Sequence, residues 1–309
     1  MSRQGSQSTP PIKLSSLQIL AWGGTLLLSI LPDVLFREIT GNIPEWLYGI
    51  KLSLIALFLL LSLFWEPAKN LQRYFLVFLA IFLTERAWQV VAGSPQWQAW
   101  FPVAGTGYLF QLFGIQLGRL AVALAMIASF FIIGFKKEET FIGFGDLLAP
   151  TSPMSVMGVD QPTNWRSLGL RLGLYAFLAL LVIMMIFYGG NLNTNVFGAL
   201  PPALPMIFLL AALNSFSEEV TYRAALLAPI YKVLGVGQSV WLTAVFFGIG
   251  HFYGIPSGVA SVLATGLFGW ILARCMVETK GLFWPWFIHL WADVVIFSFM
   301  AIGALQLAG

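Results

Sequence analysis

Residues 46–65 read WLYGIKLSLIALFLLLSLFW, twenty positions with a single charge, Lys51. A helix needs about 20 predominantly apolar residues to cross the hydrocarbon of a bilayer, and this stretch supplies them. Comparable runs lie near 74–94, 113–135, 168–188, 201–225, 236–253, 257–277 and 281–305. A weaker one, roughly Leu17 to Leu31, is cut short by Pro32 and Asp33. It has no small-residue cleavage site, so it reads as a retained first span rather than a signal peptide. The sequence therefore predicts an all-α polytopic transmembrane helical bundle of eight or nine spans. No run alternates with period two, which excludes an outer-membrane barrel.

Composition agrees. Of 309 residues, 59% are hydrophobic and 9% charged, against about a quarter charged in a soluble domain. Mean hydropathy is +0.85. The net charge of +3 does not indicate nucleic acid, because the basic residues stand singly between apolar runs instead of forming a patch. The one cysteine, Cys275, allows no internal disulfide or cysteine cluster and reads as a small apolar filler.

Lys and Arg placement orients the spans. With the N-terminus inside, the inner segments carry Arg3 and Lys13, Lys69 and Arg73, Lys136, Lys137 and Arg166, Lys232, then Arg274 and Lys280. The outer loops near 95–105, 189–200 and 254–256 carry none, and the first holds only Arg37. This asymmetry matches the positive-inside rule and predicts an inner or plasma membrane protein with a cytoplasmic N-terminus. Residues up to about Ser15 read as a disordered tail. The long polar break from Lys136 to Arg166, with Pro150, Pro153 and Pro162, divides the chain. Residues 1–135 are expected to form an N-terminal module of about four helices, 136–167 a cytoplasmic linker, and 168–309 a C-terminal transmembrane module. The stretch from Phe141 to Leu148 is a candidate interfacial segment.

Ionisable groups within spans mark function. In the first module they are Glu85, Arg86 and Arg119. Glu85 and Arg86 are adjacent and point about 100° apart on a helix, so they pair poorly with each other. An ion pair across helices, with Arg119 among the partners, or a substrate contact accounts for them. The second module is richer. Glu218, Glu219 and Arg223 follow an apolar run, and both histidines of the chain lie downstream, as Phe247-Gly-Ile-Gly-His251 and His289-Leu-Trp-Ala-Asp293. Glu219 and Arg223, four apart, can form an ion pair, which leaves Glu218 free to face elsewhere. His289 and Asp293 share a helix face.

A free carboxylate, two imidazoles and a second acid suffice for hydrolysis without a covalent step. A carboxylate can take and return protons, and imidazole N–H groups can support water or an oxyanion. There is no H-E-x-x-H helix and no G-x-S-x-G elbow.

The order E-E-x-x-x-R, F-x-x-x-H, H-x-x-x-N/D resembles the CPBP (Abi) family, which includes CAAX prenyl endopeptidases and bacteriocin-processing enzymes. The resemblance covers about residues 165–305. It implies an intramembrane glutamic protease that acts on a peptide or membrane-protein substrate in the lipid bilayer and holds no metal. Glu218 would be the base, His251 its partner, and His289 with Asp293 the oxyanion site. Glu219 and Arg223 would brace the helix, with Phe247 in support. Asp293 stands where the prenyl-protein enzymes have asparagine. An ionised aspartate only accepts, so Asp293 is expected either to be protonated or, the favoured reading, to orient His289 by accepting its N–H.

Three other readings remain open. They are a zinc peptidase, since two His and one Glu form a valid catalytic ligand set, a non-catalytic scaffold or immunity partner, and a proton-relay transporter.

Depth adds one expectation. His251 lies near the outer end of its run and His289 about eight residues from the inner edge of its own. The 236–253 helix must therefore begin above the membrane, tilt, or break mid-bilayer, and Gly248, Gly250, Gly254 and Pro256 favour a break. Ser257, Ala260, Ser261 and Ala264 are placed for close packing by the next helix.

Overall fold

A computed structural model describes residues 15–102, 107–161, 163–191, 198, 200–255 and 257–308. The predicted N-terminal tail, Pro162, Pro256 and parts of the outer loops near 95–105 and 189–200 fall outside these residues. Among the described residues no β-strand forms. The long elements are α1 (Ser16–Leu28), α2 (Leu31–Thr40), α3 (Trp46–Phe64), α5 (Gln72–Ala92), α7 (Tyr108–Ile133), α8 (Trp165–Tyr188), α9 (Leu200–Glu218), α10 (Ala225–Leu234), α11 (Val236–Gly250), α12 (Val259–Thr279) and α13 (Phe283–Ala308). Two short helices, α4 (Glu66–Lys69) and α6 (Pro95–Trp100), close turns between them.

Seven helical segments are long and apolar enough to cross a bilayer, and α1 with α2, bent by 47°, makes an eighth if counted as one span. The bend has a sequence cause. Pro32 sits in the first turn of α2, where its missing N–H is no loss. Asp33 pairs with the buried Lys51 of α3, whose ammonium also donates to the Ser29 carbonyl at 2.7 Å. The charge inside residues 46–65 is thus neutralised at the break that cut the first apolar run.

The ninth candidate does not become a full span. α11 has 15 residues, about 22 Å at 1.5 Å per residue, and ends at the glycine-rich stretch. α9 and α10 compensate, because Leu200–Leu234 is one segment of 35 residues. Between them Glu219–Ala224 winds as a π-helix, with the Ala225 N–H bonded to the Val220 carbonyl. Such wide turns cluster at functional sites.

The small-residue seam lies elsewhere than expected. Ser261 is buried, but Ser257, Ala260 and Ala264 are exposed. Contact between α11 and α12 is made at Gly248, where an added Cβ would sit 2.5 Å from the Val262 carbonyl oxygen and 3.0 Å from the Gly266 Cα. Of the four residues only Ser261 is buried, and Gly266 and Gly269 of α12 make the close approach to α11.

Residues 136–164 are stapled to the turn between α12 and α13. The Asp146 N–H donates to the Thr279 carbonyl, and the Leu282 N–H to the Gly143 carbonyl. Glu278 accepts from Trp165 Nε1 at 2.9 Å and from the Ser152 N–H at 3.2 Å. Gly145 has φ +81°, and a Cβ there would meet the Thr279 oxygen at 2.7 Å, so this approach requires glycine. Within the candidate interfacial segment, Phe141 is buried while Phe144 and Leu148 are exposed.

The apolar cores cross the chain. One cluster joins Ala21, Ile55, Phe75, Phe78 and Met126 of the first helices to Leu226, Ile230 and Leu242 of α10 and α11. A second packs Trp165, Leu168 and Leu172 of α8 against Leu272 and Ile288. A third sets Leu112 of α7 against Ile207, Leu210 and Ala211 of α9 and Val294 of α13. Helix α9 is thereby held between α7 and α13, and this position builds the site.

Candidate active site

Glu218 ends α9 and is buried. Its two oxygens have different partners. Oε1 accepts from Arg119 Nη1 at 2.9 Å and from Asn214 Nδ2 at 3.2 Å. Oε2 is buried with no hydrogen-bond partner among the described residues. It stands 3.9 Å from His251 Nε2 and 3.8 Å from His289 Nε2. These gaps exceed a direct hydrogen bond but suit bridging by one oxygen atom.

Both imidazoles are held from behind. His251 Nδ1 lies 2.8 Å from the Phe247 carbonyl, one turn back on α11, and His289 Nδ1 lies 2.8 Å from Glu219 Oε1. Each acceptor takes an Nδ1–H, so in the neutral ring the Nε2 lone pair faces Glu218. Glu219 also accepts from Arg223 Nη1, and both side chains are fully buried. The pair expected from the four-residue spacing thus forms, and it positions His289 as well as bracing the helix. The Arg223 guanidinium lies over the Phe247 ring at 4.6 Å from its centroid. Phe247 packs in turn on His251 and edge-on to His289, so it forms a shelf under three polar groups.

Asp293 departs from the favoured expectation. It does not accept an N–H from His289: its Oδ1 is 3.7 Å from Nε2, too long for a hydrogen bond, and Nδ1 belongs to Glu219. Its other oxygen, Oδ2, accepts from Asn214 Nδ2 at 3.0 Å. Asn214 therefore ties the carboxylates of α9 and α13 together. Sequence reasoning missed it, although it lies four residues before Glu218 and hence on the same helix face.

The charges of the first helices also pair differently than expected. Glu85 accepts from the Tyr222 hydroxyl. Arg86 donates to Gln89 at 3.2 Å and stacks on Tyr48. Arg119 reaches neither of these two. It binds Glu218 and the Asn214 side-chain oxygen. The cluster borders a cavity of about 380 Å³ whose wall includes Arg119, Glu218, Tyr222, Phe247, His251 and Tyr253. Among the described residues no group of three or more His, Cys, Asp or Glu side chains is set to hold a metal ion.

Helices and cluster together define a polytopic α-helical membrane protein with a buried carboxylate–imidazole centre. Residues 200–295 match the family model described as Rce1-like, type II CAAX prenyl endopeptidase. The likeness drawn from the three motifs holds over this segment, which contains all seven motif residues and none of α1 to α8. The matched family is one of peptidases, so hydrolysis is the general activity it implies. No curated protein matches the chain, and no solved structure does.

Proposed function

We propose that this protein is an intramembrane endopeptidase in which Glu218 and His251 activate water to hydrolyse a peptide bond, in the manner of CAAX prenyl proteases. One observation carries the reading: Glu218 Oε2, His251 Nε2 and His289 Nε2 converge within 3.9 Å at the edge of a cavity. A water between them donates one hydrogen to Glu218 and the other to His251, which aims its lone pair at the carbonyl carbon. Glu218 takes the proton and passes it to the leaving amine.

His289 and Asp293 form the oxyanion site. Arg119 and Arg223 balance Glu218 and Glu219. One further proton then neutralises the cluster, whether it sits on Asp293 or on His289. With the proton on Nε2, His289 donates to the oxyanion while Glu219 balances its charge at Nδ1. With the proton on the carboxyl, Asp293 donates as an asparagine amide would. Either form supplies the donor that the tetrahedral intermediate needs.

The substrate is a peptide or membrane-protein segment reaching the cavity within the bilayer. The reading places the protein in an inner or plasma membrane with its N-terminus cytoplasmic. Residues 168–309 are the catalytic module, 1–135 the N-terminal one and 136–167 the linker. The test is cleavage of membrane peptides by detergent-purified protein, comparing wild type, Glu218→Ala and chelator-treated wild type. Cleavage lost in Glu218→Ala and indifferent to chelator supports the reading. Loss to chelator makes it a zinc peptidase, and full activity in Glu218→Ala overturns it.

A further inference from the structure

Arg119 lies on α7, 81 residues before the matched segment begins, yet its guanidinium touches the carboxylate at the centre of the site. Local sequence explains how it gets there. Gly114 and Gly118, one turn apart on α7, take the Phe101 and Trp88 rings where side chains would collide. That fixes one face of the helix, and Arg119, about 100° around from Gly118, turns toward α9. Leu112 of the same helix packs in the cluster holding Ile207, Leu210 and Ala211, which fixes the distance between α7 and α9.

We infer that Arg119 is a positioning residue of the active site, and that the N-terminal helices are a working part of it. The inference rests on the peptidase reading of Glu218. With Asn214, Arg119 occupies Oε1 and so sets the rotation of the carboxylate about its last bond. Oε2 is thereby turned toward the two Nε2 atoms. The guanidinium supplies the counter-charge that keeps a buried carboxylate available as a base. Its side chain lines the cavity, so a small cation entering the cavity can reach its place.

The experiment is steady-state cleavage by the full-length protein in detergent, comparing wild type, Arg119→Ala, Arg119→Lys and Glu218→Ala. Each is measured with and without guanidinium chloride at tens of millimolar, far below denaturing concentrations, with sodium chloride as the ionic control. Arg119→Ala is expected to lose on the order of 100-fold in kcat with little change in KM. Lysine, which restores charge without the planar fork, should recover part of the loss. Guanidinium should raise Arg119→Ala several-fold and leave Glu218→Ala inactive. If Arg119→Ala does not survive purification, Arg119→Gln carries the same comparison.

Wild-type kcat in Arg119→Ala alongside an inactive Glu218→Ala overturns the positioning role and leaves the peptidase reading standing. So does a loss that neither lysine nor guanidinium repairs in a folded variant. An active Glu218→Ala overturns both.

Discussion

Nδ1 of His289 lies 2.8 Å from Oε1 of Glu219, the oxygen that also receives Arg223. One buried carboxylate thus holds a cation four residues away and an imidazole 70 residues away in sequence. Removing one partner of a buried pair strands the other, at a cost of about 3–5 kcal/mol. Arg223→Met should lower thermal stability in detergent by that order, read by a melt of the purified protein. Glu218→Gln, which keeps a hydrogen-bonding side chain at a cavity wall, should shift the melt far less. Equal shifts would deny that the two adjacent glutamates have different work.

Asp293→Asn separates the two ways of supplying an oxyanion donor. An amide donates without needing the extra proton, so this variant should keep kcat within about tenfold of wild type, whereas Asp293→Ala should lose about 100- to 1,000-fold. Cleavage kinetics of the two variants decide the matter. An inactive asparagine variant alongside an active alanine variant would contradict the assignment.

Outside the spans, Glu139 joins the linker to the helices. The Lys136 backbone N–H and the Lys232 side chain, with Arg73 nearby, hold its carboxyl below its ordinary value of 4.5. A depressed acid contributes stability that is fully present above its unfolded value and is lost as pH falls through the folded one. Wild type should therefore exceed Glu139→Gln by about 0.5 kcal/mol near neutral pH in low salt, since the pair is partly exposed. The difference should shrink as pH drops below 4.5 and as salt is added. Melts across pH test this, and a gap that widens toward acid would have the wrong sign.

Much of the fold was legible because bilayer crossing imposes a length, and apolar runs declare it. The short α11 shows the limit. Residues 236–253 are apolar enough, but a helix broken at Gly250 differs from a full span in length rather than hydropathy. The motif residues were legible because four-residue spacings on one helix, as in Glu219–Arg223 and Phe247–His251, survive into the structure. Asn214 obeyed the same rule and went unread, since an amide in an apolar run carries no charge to flag it. Arg119 was flagged for its charge but not for its partner. Glu218 is 99 residues away, and only the packing of α7 on α9 brings them together. The partner of His289 was misread for the same reason, because its acceptor Glu219 lies in the π-helical turn after α9 and not one turn along its own helix.

The central claim is that Glu218 is the base, and Glu218→Gln tests it most directly because the amide preserves size and cannot take the proton. Single-substrate kinetics on a cleaved membrane peptide should show kcat reduced by about 100- to 10,000-fold with KM nearly unchanged. A Glu218→Gln enzyme that turns over at the wild-type rate would contradict the account.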